Sequence, residues 1–202
     1  MMSEKIIRSI IKRILMEAMQ LDPSLLGNIA GVQSIVLGAA ASKYLVSKGM
    51  NQAEIKIVFD RINNMSIASF NKYDEAFKTH ATTHGIKPSL LKAMSIEETT
   101  LGKNLKNLSG STAAGIIQIT KPTLDTLNAN LPAGVHYDYN SLLSDPALSI
   151  KIAAHYIKDY LIGKLGLKDR ASILRKYKTG ADASNYVVRV EAFKKFIDIV
   201  GL

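Results

Sequence analysis

Apolar residues recur at three- and four-residue steps along most of the chain, the period of helices buried on one face. Between Ser3 and Met19, a stripe of Ile6, Ile7, Ile10, Ile11, Ile14, Leu15, Ala18 and Met19 runs beside Lys5, Arg8, Lys12 and Arg13. Such a helix can lie on a membrane surface or dock on a partner; packing on its own neighbours is the simpler expectation. Asp22-Pro23 breaks the pattern. The Ala/Gly-rich stretch Ile29–Val46 has about the length of a membrane span. Gln33, Ser34, Ser42 and Lys43 interrupt it, which favours a buried or self-associating helix. Gln52–Asn63 predicts a further helix with Ile55, Val58, Phe59 and Ile62 on one face. Asn63-Asn64 and Ser66 then suggest a boundary near residue 70.

Beyond that boundary the pattern predicts helices over Asp74–His84, Pro88–Glu98, Pro122–Asn130, Asp145 to about Leu161, Asp169–Tyr177 and Ala183–Val200. Gly85 stands where helices end, and Pro88 where they begin. In the helix opened by Asp145-Pro146, Ile150, Ala153, Ala154, Ile157 and Leu161 form the inner face. Leu101–Gly115 is polar and Gly/Ser-rich, hence a loop, and Ile116–Ile119 is a short apolar run. With no alternating strand pattern and no repeat, the expectation is an all-α fold. It divides into a small helical N-terminal region, 1–70, and a second domain, 71–202.

Composition narrows the chemistry. The 47% hydrophobic and 21% charged content is that of a folded protein, and the absence of cysteine removes disulfides, thiolate nucleophiles and cysteine zinc sites. The net charge of +9 divides into +3 over 1–70 and +6 over 71–202, favouring polyanionic partners. The charges are dispersed and there is no Trp, so no specific nucleic-acid site is expected. Arg8, Lys12 and Arg13 break the N-terminal apolar run, so no secretory signal is read there. His80 and His84 have a spacing that can bind metal, but no HExxH surrounds them, and His136 and His155 are isolated. Half-buried or surface histidines are expected, with no metal and no cofactor.

Carboxylates remain. Glu97 and Glu98 end an apolar helix just before the Gly/Ser loop. A carboxylic acid against an apolar wall keeps its proton to higher pH and can donate it to a leaving sugar oxygen. At about 100° per residue, Glu98 lies near the face of Leu91 and Met94, and Glu97 near that of Leu90 and Ala93. Periodicity alone hardly separates the two.

Four ordered blocks sharpen the reading: LLKAMSIEETTLGK, AAGIIQITKPT, DPALSIKIAAHYIKDYL and ILRKYKTG. Together they resemble the catalytic domain of soluble lytic transglycosylases, which shares its core with goose-type lysozyme. The resemblance covers roughly residues 73–190 and implies a lysozyme-like all-α domain. It places the catalytic acid at Glu98, with Thr99 where the family carries Ser, its hydroxyl near the acid. Gly115, Gln118 and Ile119 match a Gly-x-x-Gln-Ile segment that lines the glycan cleft in the family. Tyr177 and Gly180 match the ends of a Tyr-Asn-Ala-Gly turn, while Lys178 and Thr179 depart from its centre. The implied substrate-binding set is therefore Thr99, Gly115, Gln118, Ile119 and Tyr177. A buried structural amide is the plain alternative for Gln118, and a core aromatic for Tyr177.

What the resemblance implies is cleavage of the β-1,4 bond between N-acetylmuramic acid and N-acetylglucosamine in peptidoglycan. A single carboxyl acts as acid and then base, leaving a 1,6-anhydro ring. Hydrolysis would need a second carboxylate, for which Asp125 and Asp138 are the candidates. The missing signal suggests a bacteriophage setting, with the domain carried by a virion or delivered to the host periplasm or wall. Residues 1–70 would then contact phage tail or internal virion proteins, or the membrane through the amphipathic helix. A structural or assembly protein keeping a lysozyme-like fold is the rival, favoured by the altered Tyr-Lys-Thr-Gly turn.

Overall fold

The computed structural model describes residues 41–62, 65, 67–106, 111–132 and 134–201. The expected helix Ser3–Met19 and most of Ile29–Val46 lie outside the described residues. Ala41–Ser47, at the end of the Ala/Gly-rich stretch, is helical. Among the described residues no helix is long and apolar enough to cross a membrane.

The named helices are α1 (Gln52–Ile62), α2 (Ile67–Asn71), α3 (Asp74–Thr83), α4 (Pro88–Thr99), α5 (Lys121–Asn128), α6 (Ser141–Ser144), α7 (Pro146–His155), α8 (Arg170–Tyr177) and α9 (Ala183–Val200). Between α7 and α8 the chain continues as a π-helix, Tyr156–Lys164. The fold is all-α, as expected. The described residues contain no strand, and two isolated bridges, Lys106 with Ala114 and Ala114 with Ile119, pin one loop.

Local sequence explains most helix starts. Asn51 and Glu54 form a reciprocal capping box: each side chain accepts from the other's backbone N–H, at 2.8 and 2.9 Å. Thr120, Asp145 and Asp169 each accept a backbone N–H three residues on, opening α5, α7 and α8. Proline sits in the first turn of α4, α5 and α7, where no backbone donor is lost.

Helix α4 occupies the centre. Every residue from Ser89 to Glu97 is buried, and the helix packs against α9, α3 and α7. Leu90, Leu91, Ala93, Met94 and Ile96 hold it in the core, and Ser89, Lys92, Ser95 and Glu97 are buried with them. Its one buried cation, Lys92, pairs with Asp74 at 2.5 Å and sits 4.0 Å above the Phe70 ring. Both contacts offset the cost of burying the ammonium, whose pKa burial lowers.

The core is continuous across residue 70. Leu45, Met50, Ile55, Val58, Ile62, Met65 and Phe70 belong to the same buried cluster as Phe77, Leu91, Phe193 and Phe196. Phe70 meets Phe196 edge-on at 6.4 Å, and α1 packs along α9. Among the described residues, no break in packing falls near residue 70. The helix expected to run to about Leu161 keeps its inner face: Ile150, Ala153, Ala154, Ile157 and Leu161 are all buried. It changes from α to π hydrogen bonding at Tyr156, and the rings of Tyr156 and Tyr160 stack at 5.3 Å within the wider turn.

Candidate active site

The two glutamates at the end of α4 have different surroundings. Glu97 is clamped by two arginines, accepting from Arg61 Nη2 at 3.0 Å and from Arg189 Nε at 2.7 Å. Arg189 also pairs with Asp182 at 2.5 Å. Arg61 comes from α1 and Arg189 from α9, so Glu97 ties three helices together. Its carboxylate is committed to structure.

Glu98 has the surroundings of a reactive acid. Its side chain is only 7% exposed. Burial raises its pKa above the ordinary glutamate range, and the neighbouring Glu97 charge adds to that rise. The Lys178 ammonium, 3.3 Å away, works in the other direction, as does the Tyr186 hydroxyl. Tyr186 is fully buried on α9; its hydroxyl faces Glu98 without reaching full hydrogen-bond geometry, and no other atom satisfies it. Burial and the Glu98 charge raise the pKa values of Tyr186 and Tyr177 well above that of free tyrosine. Both therefore remain neutral donors beside the carboxyl.

A braced loop holds this carboxyl in place. The Thr99 hydroxyl donates to the Ile116 carbonyl at 2.7 Å and accepts from the Gly102 N–H at 2.8 Å. It fastens the end of α4 to the Gly115–Ile119 segment. After Thr99 the chain turns through Thr100, Leu101 and Gly102, all at positive φ. The Thr100 and Leu101 N–H groups return to the carbonyls of Ile96 and Ser95, closing a helix end that usually carries glycine at the position of Thr100. Gln118 is the other non-glycine residue at positive φ among the described residues. Such conformations persist only where surrounding contacts impose them, and here both flank the Glu98 loop system.

The remaining residues of the expected substrate-binding set serve this loop through the contacts they make. A Cβ at Gly115 would lie 2.4 Å from the Ser149 hydroxyl oxygen, 2.9 Å from the Ser149 Cβ and 3.0 Å from the Leu142 carbonyl, so only glycine fits. Gln118 Nε2 donates to the Gly115 carbonyl at 2.9 Å and to that of Leu105 at 3.2 Å. Ile119 is buried and exchanges backbone hydrogen bonds with Ala114. The Tyr177 hydroxyl donates to the Ile117 carbonyl at 2.8 Å, and its ring meets Tyr156 at 6.1 Å. All five thus brace the acid's surroundings. Sequence reasoning missed Lys178 and Tyr186 as neighbours of Glu98. Lys178 was visible as a departure from the motif, whereas Tyr186 carried no signal.

Asp125 and Asp138 are occupied elsewhere. Asp125 pairs with Lys121 one turn away on an exposed face of α5. Asp138 accepts from the backbone N–H and hydroxyl of Ser141, at the start of α6.

Residues 75–199 match the model of the Transglycosylase SLT domain. The chain belongs to this family. The match covers more than half of the sequence and takes in Glu98, the Gly115–Ile119 segment, Tyr177 and Lys178. It carries a lytic transglycosylase-type function on peptidoglycan. Helix α1, the source of Arg61, lies ahead of the matched SLT domain and still reaches into its centre. No curated protein and no solved structure matches the chain.

Proposed function

We propose that the protein is a peptidoglycan lytic transglycosylase that cuts the β-1,4 bond from N-acetylmuramic acid to N-acetylglucosamine, with Glu98 as its acid and base. The observation that carries this reading is the desolvated Glu98 carboxyl at the end of a buried helix, its pKa raised, beside two neutral tyrosines. Glu98 donates its proton to the glycosidic oxygen as the bond from the muramic C1 breaks. The sugar's own N-acetyl group assists the cationic carbon. The carboxylate then takes the proton of the 6-hydroxyl as that oxygen bonds to C1. The acid is regenerated, a 1,6-anhydro ring forms, and no water is consumed. The other engagements of Asp125 and Asp138 support a single-carboxylate route over hydrolysis.

Digestion of purified peptidoglycan by wild type and by Glu98→Gln, with products read by mass spectrometry, tests the proposal. Wild type should release anhydro-muropeptides, and the variant should be slower by about 10²–10⁴-fold, the usual contribution of a general acid. Products one water heavier would identify a lysozyme. No release from either protein would favour the structural reading, which the Lys178–Glu98 contact supports. The setting we propose is a phage particle or phage-driven delivery to the wall, decided by whether purified particles contain the protein.

A further inference from the structure

Two histidines distant in sequence meet on the outside of α3 and α7. His84 ends α3, and its Nδ1 lies 2.8 Å from the His80 carbonyl. A carbonyl only accepts, so Nδ1 is the donor, which leaves Nε2 as the nitrogen that can ligate. His155 ends α7, at the start of the π-helix. Its Nδ1 is 3.3 Å from the Tyr137 hydroxyl and its Nε2 is 3.0 Å from Asp159 Oδ2. The two imidazole rings are 5.6 Å apart, and one ligating atom from each of His84, His155 and Asp159 lies within 4.8 Å of the others. A simple ion pair of His155 with Asp159 would not require a second imidazole at the same point. Nor would it require each ring to be steadied through its other nitrogen, which is how metal-bound histidines are held.

We propose that His84, His155 and Asp159 form a binding site for a divalent transition-metal ion, with zinc the first candidate. His84 Nε2, His155 Nε2 and one Asp159 oxygen supply three ligands, and water completes a tetrahedral shell. Two imidazoles and one carboxylate suit zinc, copper or nickel; calcium and magnesium take oxygen ligands. Lys151, held over the Tyr137 ring at 5.7 Å, lies beside the cluster, and its charge repels a bound cation, so the site must draw its affinity from direct coordination. The site shares no residue with the surroundings of Glu98. It joins the end of α3 to the junction of α7 with the π-helix and, through Tyr137, to the loop before α6. Bound metal should therefore stabilise the fold by mass action.

The test is calorimetric titration of the full, tag-free chain with zinc chloride, together with cobalt absorption spectra and thermal unfolding. Wild type should show a single saturable site, cobalt bands of low coordination number and a higher melting temperature with zinc. His84→Ala and Asp159→Asn should each weaken binding by about tenfold or more and abolish the zinc-dependent rise. Asp159 is exposed, so its variant separates loss of a ligand from loss of the fold. His136→Ala should bind as wild type does. The absence of saturable binding, binding that Asp159→Asn and His84→Ala leave unchanged, or displacement of zinc by equimolar calcium would each overturn the proposal.

Discussion

Within one shell of neighbours, Glu98 is pushed in two directions. Burial favours its neutral form, and the Lys178 ammonium favours the carboxylate. A general acid works while protonated, so its activity falls as pH rises through its folded-state pKa. Removing the cation removes stabilisation of the charged form and raises that pKa. Lys178→Asn, which restores the residue type usual in the family's turn, should therefore move the alkaline limb of the pH–rate profile to higher pH. The Lys178 side chain is 40% exposed, so salt should reproduce part of the shift in wild type. Rates on purified peptidoglycan across pH, at low and high ionic strength, check this. A limb that does not move in the variant would mean that another group controls it.

The end of α4 and the Gly115–Ile119 segment form one mechanical element, closed by the Thr99 hydroxyl and by the fit of Gly115 against Ser149. Gly115→Ala must displace Ser149 or the Leu142 backbone while holding a positive φ. It should cost about 1–3 kcal/mol of stability from overpacking and about 1–2 more from the backbone. Chemical denaturation measures the loss, and a variant as stable as wild type would show that the loop is not pinned there. Most helices of the described residues were legible in the sequence, because α1, α3 and α9 carry periodicity, α4 is an apolar run opened by Pro88, and α5, α7 and α8 begin at capping residues. The short α2 and α6 were not legible, since helices of four or five residues leave no period to read. The π-helix also escaped, because apolar residues at three- and four-residue steps fit either hydrogen-bonding pattern. Within the site, the motif singled out Glu98, but the residue pattern by itself did not separate it from Glu97. The partners that commit Glu97 to structure lie 36 and 92 residues away in sequence. The set expected to touch the glycan shared that limit: a motif marks positions, and contacts show that several of them brace a loop.

At the scale of the molecule, the described part of the N-terminal region is built into the core. A chain starting at residue 71 would strip Leu45, Met50, Ile55, Val58, Ile62, Met65 and Phe70 from their buried neighbours. At about 1.5–3 kcal/mol for each large apolar side chain, that loss is comparable to the whole stability of a typical domain, about 5–15 kcal/mol. The truncated chain should aggregate or lack a cooperative melt, and a soluble, sharply melting, active fragment would contradict the shared core. The pairing of α1 with α9 also bears on synthesis. Helix α1 emerges from the ribosome before every other named helix, yet its packing partner is the last of them to be made. Its apolar face must wait, shielded by chaperones or by transient contacts, until α9 arrives. Lys178, Tyr186 and Arg189 arrive in the same late stretch, so the surroundings of Glu98 are completed only as the fold closes. A nascent chain halted before α9 carries Glu98 and Lys178 but lacks Tyr186 and Arg189.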